Sequence, residues 1–497
     1  MRWKVVIGNL GSILKLFGLA FFIPVIPALY YQESPILFGF LPYNALVFIF
    51  LAFFTITLGY PAEKFTRSED FYHNEGIVLV SFTWLVLALI SSLPFLMTYT
   101  LSSPIDAFFE AMAGITTTGA TVLTFPLEAH PKSILLWRAV MQWLGGMGVI
   151  VLSVAILSKL SRGGLSLLEA ESPGPEITRL KPKIKETAKS IWYLYGLFTL
   201  ILIILLVGAR VSLYDAVYHS LTTMPTGGFS PHTNSIAYFS STVQWIFIFF
   251  MIIAGVNTSL QYQAFGGKLK KLFTDPEFKA YIAIIISGAT IVIFFGMSQD
   301  ISIRDALFQT VSILTTTGYT TQNFDKWPET LRLLLLLFMF VGGSAGSTSG
   351  GIKVLRILLM FKLIKRRLIE YANPKRVLVV WMGDSVIDER TLETVAIFFG
   401  AYLLIFVIGA LVMVGLGLDL VSGIAASASS LGNIGPGLGL ISNASFESVP
   451  TAGKLFLAII MWIGRLEIFT AIVLFNPSLY KKRRLRNLLD FDLSGKI

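Results

Sequence analysis

At 497 residues, with 55% hydrophobic side chains, 14% charged ones and a mean hydropathy of +0.74, the chain carries too much apolar surface for a set of water-soluble domains. A net charge of +10 would suit a nucleic-acid ligand, but Lys and Arg fall in short loops between apolar runs of membrane-spanning length, which excludes that class and reads as topology signalling. The lack of cysteine excludes disulfides and thiolate metal sites.

A bilayer core of about 30 Å takes roughly 20 apolar residues per helix. On that measure the sequence predicts ten spans, at 5–30, 41–60, 76–98, 133–159, 188–209, 241–262, 279–298, 328–360, 392–417 and 453–476. The first run is interrupted by Lys15 and two prolines, is longer than a signal-peptide core and ends without a small-x-small cleavage site, so it is expected to remain as a helix. After the third, fifth, seventh and ninth spans comes an apolar segment too short to cross. The predicted fold is all-α and integral to the membrane. An N-terminal helix pair occupies 1–75, and four units of helix, short helix, loop and helix occupy 76–187, 188–276, 277–391 and 392–497, the last with a basic C-terminal tail.

The short segments read as copies of one unit. Asp106 precedes Gly119 by thirteen residues, and Asp215 with Gly228, Asp305 with Gly318 and Asp419 with Gly432 repeat the spacing. Three copies open with Ser-x-x-Asp, at Ser103, Ser212 and Ser302, which predicts a serine N-cap with an acid in the first turn. The fourth has Leu416 in the serine's place, so a weaker or different cap is expected there. The aspartates are expected to cap, not to touch an ion.

Each unit contains two full spans, so all four copies share one orientation and can surround a single pore with pseudo-fourfold symmetry. A rocking transporter for a small organic solute, the competing class, calls for inverted repeats and a charged or aromatic pocket instead. Basic residues collect at one end of the spans, at Lys64 and Arg67, Arg162 and Arg179 to Lys185, 268–271, 362–367 and 481–486. By the positive-inside rule that side and both termini face the cytoplasm, and the short helices enter from outside. The segments 179–189, 268–271 and 362–376 serve as topology anchors or as contacts for a cytoplasmic partner or anionic lipid. The four histidines are scattered without metal-ligand spacing, which argues against a membrane enzyme.

The short helices stop at Thr116-Thr117-Thr118-Gly119, Thr226-Gly227-Gly228, Thr315-Thr316-Thr317-Gly318 and Ser430-Leu431-Gly432-Asn433. Their C-terminal ends favour a cation, and irregular backbone at membrane depth is tolerated only where it is buried in protein or lines a watery path. Four such strands would form a ring of carbonyl oxygens suited to a desolvated alkali cation. Below it, the run 328–360 is too long for one span and holds Gly342, Gly343, Gly346, Gly350 and Gly351, each worth about 1 kcal/mol against a helix, so an interrupted helix is expected; a tight helix crossing is the other reading. Gly145, Gly146 and Gly148 fit close packing. Arg465, placed near the middle of the last predicted span, needs an interior setting: either it faces the path as a barrier or it pairs with Glu110. Glu467 lies on another helical face.

The segments Trp137-Arg138, Gln142 to Gly148, Gly342 to Lys353, Asn433-Ile434-Gly435-Pro436-Gly437 and Gly464 to Glu467, together with the four Gly-terminated segments, resemble the Trk/Ktr/HKT superfamily of potassium transporters. The N-terminal helix pair is similar to the branch formed by membrane subunits of bacterial Trk-type uptake systems. The resemblance implies potassium as substrate, held at Thr117, Thr118, Thr226, Gly227, Thr316, Thr317, Ser430 and Leu431, with Gly119, Gly228, Gly318 and Gly432 as the selectivity glycines. It also implies a mobile loop at Gly343, Gly346, Gly350 and Gly351 just below the filter, and Arg465 in its barrier reading is expected to form the gate together with that loop. A homodimer of separate pores, a cytoplasmic nucleotide-binding regulatory subunit and a bacterial or archaeal cytoplasmic membrane follow from it as expectations, with no bound cofactor.

Overall fold

The structure is a computed structural model. It describes residues 1–33, 35–37, 41–64, 73–159, 184–297, 301–376, 378–383 and 385–477. The expected basic positions Arg67, Arg162, Arg179, Lys181 and Lys183 and the C-terminal tail from Lys481 onward lie outside the described residues.

Among the described residues the architecture is all-α apart from two short antiparallel hairpins, Ile36–Leu37 with Leu41–Pro42 and Val380–Met382 with Ser385–Ile387. Six helices among the described residues are long and apolar enough to cross a membrane. The N-terminal pair packs Trp3–Ala20 along Tyr43–Lys64, where Gly11 and Gly59 let the backbones touch: a Cβ on Gly11 would lie 2.6 Å from Gly59 O.

Three predicted spans are not straight. The run 241–262 divides into Ser241–Ala254 and Thr258–Thr274, bent by 101°, because Gly255 ends the first piece and Asn257 caps a new helix at Leu260 N (3.0 Å). The last run ends as a helix at Arg465 and turns by 113°, since Glu467 and Ile468 take left-handed φ of 53° and 57°. Arg465 therefore stands at a helix end, not in mid-span. The long run 328–360 breaks as its glycines predict: Glu329–Val341 is helical, the chain is irregular to Lys353, and Val354–Ala372 resumes.

Four short helices, Pro104–Ile115, Leu213–Thr223, Ile303–Leu314 and Leu420–Gly432, hold 11 to 13 residues, about half a bilayer at 1.5 Å per residue. The last helix of each unit packs against the short helix of the next. Lys132–Lys159 meets the second, Ser241–Ala254 the third and Glu329–Val341 the fourth; Thr451–Arg465 returns to the first. The four units thus close a ring in chain order.

Candidate ion pathway

The caps set the register of each copy. Ser103, Ser212 and Ser302 accept from the backbone N–H of Asp106, Asp215 and Asp305 at 3.4, 3.1 and 3.1 Å. In the fourth copy the cap is Asp419 itself, accepting from Ser422 N at 3.0 Å. Asp419 therefore matches the serines, not the other aspartates, and the thirteen-residue ruler begins three residues early there. Counted from the cap, the filter glycine lies sixteen residues on in every copy, at Gly119, Gly228, Gly318 and Gly435.

Backbone angles agree. Each short helix is followed by one left-handed residue, Thr117, Thr226, Thr316 or Asn433, with φ of 54°, 54°, 58° and 55°. Two residues later comes a glycine with φ of 80°, 73°, 80° or 102°. Ser430 and Leu431, expected to hold the ion, belong to the last turn of the fourth helix, and Gly432 ends it, at the level of Thr116 and Thr315. The ring positions in that copy belong to Asn433, Ile434 and Gly435.

The four glycines also locate one another. A Cβ on Gly119 would strike the carbonyl oxygen of Gly227; on Gly228, that of Thr317; on Gly318, that of Ile434. On Gly435 it would sit 2.7 Å from Thr118 O. Each of these glycines thus lies against the carbonyl preceding the matching glycine of the adjoining copy, and the cycle closes. Above it, on the side where the short helices start, a cavity of about 50 Å³ has Gly119, Gly228, Gly318 and Pro436 in its wall.

Buried polar side chains brace this ring. Seven residues after the cap stand Glu110, His219 and Gln309, each reaching the strand beyond its own filter glycine, with Ala426 at that place in the fourth copy. Glu110 Oε2 accepts from Val122 N (2.8 Å), Gln309 Oε1 accepts from Thr321 N (3.2 Å), and His219 Nε2 lies 3.1 Å from Ser230 Oγ. The charge of Glu110 is met by Arg138 Nε at 2.7 Å, with both side chains buried. Arg138 also lies 3.9 Å from the Phe229 ring centroid, so the pair joins copies one and two. Glu110 is therefore the partner of Arg138, not of Arg465. Gln142 donates to Gly227 O at 2.6 Å and accepts from Phe229 N at 3.2 Å, which fixes the irregular second copy. Gly145 and Gly146 provide close packing, the latter with Pro225 Cα 2.7 Å from its would-be Cβ.

The glycine-rich loop lies against the other face of the ring. Gly350 N donates to Thr316 Oγ1 (2.7 Å), Thr348 Oγ1 donates to Met224 O (3.0 Å), and Gly350 abuts Gly432 O. Gly342, Gly346 and Gly351 have φ of 77°, 71° and 73°, while Gly343 packs its Cα side against Gly255 O, 2.8 Å from an added Cβ. The loop is tethered from outside the ring by Asn257 Nδ2 to Ala345 O (2.7 Å) and by Glu277 Oε1, which accepts from Ala345 N and Leu355 N at 2.7 and 3.1 Å. Arg465 Nη1 donates to Thr348 O at 2.8 Å, and its Nε and Nη2 have no protein partner among the described residues. Lys353, also buried, donates to Ser349 O, and Glu467 pairs with Arg356 at 2.6 Å. In the ring segments and the loop, Thr117 Oγ1, Ser349 Oγ, Ser430 Oγ and Asn433 Oδ1 are buried without a partner among the described residues. Such atoms at membrane depth fit a hydrated cavity, not a dry core.

The individual roles of Arg138, Gln142, Ile434, Gly435, Asn257, Glu277 and Lys353 do not follow from the sequence alone. A signal for Gly435 was present, since aspartate is as good an N-cap as serine. The partners of the others are set by contacts between units.

Comparison with known proteins follows the same outline. Residues 44–482 match the family model TrkH, described as cation transport protein. The chain is 38% identical over 492 residues to the Trk system potassium uptake protein TrkH of Escherichia coli (strain K12), covering 97% of this chain and 100% of that one. It is 34% identical over 486 residues to the Trk system potassium uptake protein TrkG of the same organism, covering 95% and 98%. Its fold superposes on the crystal structure of the potassium transporter TrkH from Vibrio parahaemolyticus with a TM-score of 0.87 at 36% identity, covering 97% of this chain and 100% of that chain.

Proposed function

The chain belongs to the TrkH family of cation transport proteins, and from that premise we propose how its own residues carry the ion. It is a multi-pass membrane transporter for potassium uptake of the Trk type, not an enzyme. The filter is the cyclic arrangement of Gly119, Gly228, Gly318 and Gly435, each against a carbonyl of its neighbour; this observation carries the reading. Carbonyl oxygens around that axis replace the hydration shell of a potassium ion, and the C-terminal ends of four short helices add partial negative charge. No resident cofactor is required, since potassium is the cargo.

The loop 342–353 is the gate. It crosses the path immediately beneath the filter, and its contacts to Thr316, Met224 and Gly432 are single hydrogen bonds or backbone approaches that can be broken without unfolding a helix. Arg465 holds the loop through Thr348 O and adds a positive charge that opposes ions leaving the filter. The side carrying Lys268 to Lys271 and Lys362 to Arg367 faces the cytoplasm, as the positive-inside rule requires, and the short helices enter from outside. The basic helix Val354–Ala372, continuous with the gate, is where a cytoplasmic regulatory subunit would act, and a homodimer with one pore per chain accords with the family resemblance.

The test is potassium and sodium flux in proteoliposomes containing this chain, with Gly318→Ser for comparison. Potassium flux should exceed sodium flux and the ratio should fall in the variant. Equal flux of both ions, unchanged by the variant, would overturn the filter assignment.

A further inference from the structure

The second unit contains an apolar cleft that the ion path does not use. It lies among the helix Ile184–Gly208, the helix Ser241–Ala254 and the bent piece that follows, with a volume of about 620 Å³. Phe198, Leu205, Phe250, Ile253, Phe265 and Leu269 are among its walls. Gln261 is the single polar residue of the lining, and its amide is already committed to Ile253 O (2.7 Å) and Val256 O (2.9 Å). A buried water needs about two to four polar partners, and this lining offers water almost none, so hydrocarbon is the occupant its chemistry admits.

The rim is charged. Lys268, Lys270 and Lys271 are exposed and pair with no carboxylate among the described residues. They sit on the same piece as Phe265, Leu269 and Leu272, which line the cleft. Three exposed cations within four residues, interleaved with Leu269 and Leu272 of an apolar cleft in a membrane protein, match one ligand class: a phospholipid with an anionic headgroup.

We propose that one anionic phospholipid binds here, its headgroup on Lys268, Lys270 and Lys271 and one acyl chain in the cleft, and that it steadies the loop 342–353. The walls of the cleft lead directly to the tethers of that loop. One turn before Gln261, Asn257 Nδ2 donates to Ala345 O and Thr258 Oγ1 donates to Gly346 O (2.8 Å). Phe278, also in the lining, adjoins Glu277, which holds Ala345 N and Leu355 N. The bend of 101° between the two helical pieces, with Gly266 and Gly267 outside helical angles beyond it, is the joint that a lodged chain immobilises. Lipid loss frees the joint and, with it, the loop. The binding site stands on the cleft alone; its effect on flux rests on the gate reading above.

The test pairs a lipid count with a flux. Native mass spectrometry of the purified chain, with added phosphatidylglycerol or phosphatidylcholine of equal chain length, is run on the parent, on K268Q/K270Q/K271Q and on Ala264→Trp/Leu205→Trp, which fills the cleft. The parent should retain one phosphatidylglycerol more than phosphatidylcholine. The charge variant, altered only at exposed positions, should lose that preference, and the filled variant should lose the lipid of either kind. In vesicles with phosphatidylglycerol, basal potassium flux of the filled variant should rise at least about fivefold, the low end of a coupling between distant sites. Unchanged lipid retention in both variants would overturn the site. A filled variant that keeps its lipids but dissociates from dimer to monomer would overturn it in favour of a second copy covering the cleft. Lipid loss with unchanged flux would overturn the coupling, and absence of potassium flux from every variant and the parent would count against the gate reading while leaving the lipid count decisive for the site.

Discussion

Arg465 carries a buried charge that receives one hydrogen bond's worth of compensation, from Thr348 O, with two nitrogens left over. A guanidinium buried within a membrane protein is costly unless its donors are met, so the two unmet nitrogens call for a function the carbonyl alone does not supply. Arg465→Ala should raise potassium flux in proteoliposomes several-fold by releasing both the loop and the electrostatic barrier; flux equal to that of the parent would remove the arginine from the gate. Glu110 and Arg138 are the opposite case, a pair whose charges are matched at 2.7 Å and completed by Thr121, Val122 and Phe229. Glu110→Gln should cost about 3 to 5 kcal/mol by leaving Arg138 buried without its carboxylate, read as a lower Tm in detergent. Adding Arg138→Met should recover a large part of that loss, and a single variant as stable as the parent would show the pair to be dispensable.

Among elements, the four short helices show how one local rule yields an incorrect register. Ser-x-x-Asp identified three caps, and the same Asp-to-Gly distance in the fourth copy pointed to Gly432, because an aspartate that is itself the cap looks like the acid of the first turn. In the structure the residue that matches Gly119, Gly228 and Gly318 in the fourth copy is Gly435, whose φ of 102° and approach to Thr118 O leave no room for a side chain. Gly435→Ser should therefore lower the ratio of potassium to sodium flux, whereas Gly432→Ala, at a helix end with ordinary angles, should leave the ratio unchanged. The reverse result would restore the earlier register. The bends at Ala254 and Arg465 belong to this scale as well: hydropathy saw continuous runs there, since a cap at Asn257 or a left-handed pair at Glu467 and Ile468 changes direction without changing composition.

For the whole molecule, what matters is that the fourth unit returns to the first. Thr451–Arg465 packs on the first short helix, Lys454 Nζ meets Asp106 Oδ1 at 2.9 Å, Asn433 Nδ2 donates to Thr118 Oγ1 at 3.0 Å, and Phe446 N donates to Thr121 O at 2.7 Å. Lys454→Met opens part of this seam and should cost about 1 to 2 kcal/mol, between the values for exposed and fully buried pairs, since Asp106 is partly exposed. A lower Tm with an unchanged ion ratio is the expected result; an unchanged Tm would mean that backbone packing alone holds the seam. The sequence by itself determined the membrane class, the four parallel copies, the three serine caps, the break after Val341 and three of the four glycines with positive φ that follow the short helices. All of these depend on residues within one turn or one span of each other, where capping chemistry, glycine torsions and hydropathy act locally. Only the tertiary structure decided that Gly435 completes the ring of four glycines, that Glu110 belongs to Arg138, that Arg465 reaches Thr348 O, and that Asn257 and Glu277 tether the loop. Those contacts join carbonyls and side chains from different units, and their pairing follows from how four short helices converge on one axis, a geometry that no single segment encodes.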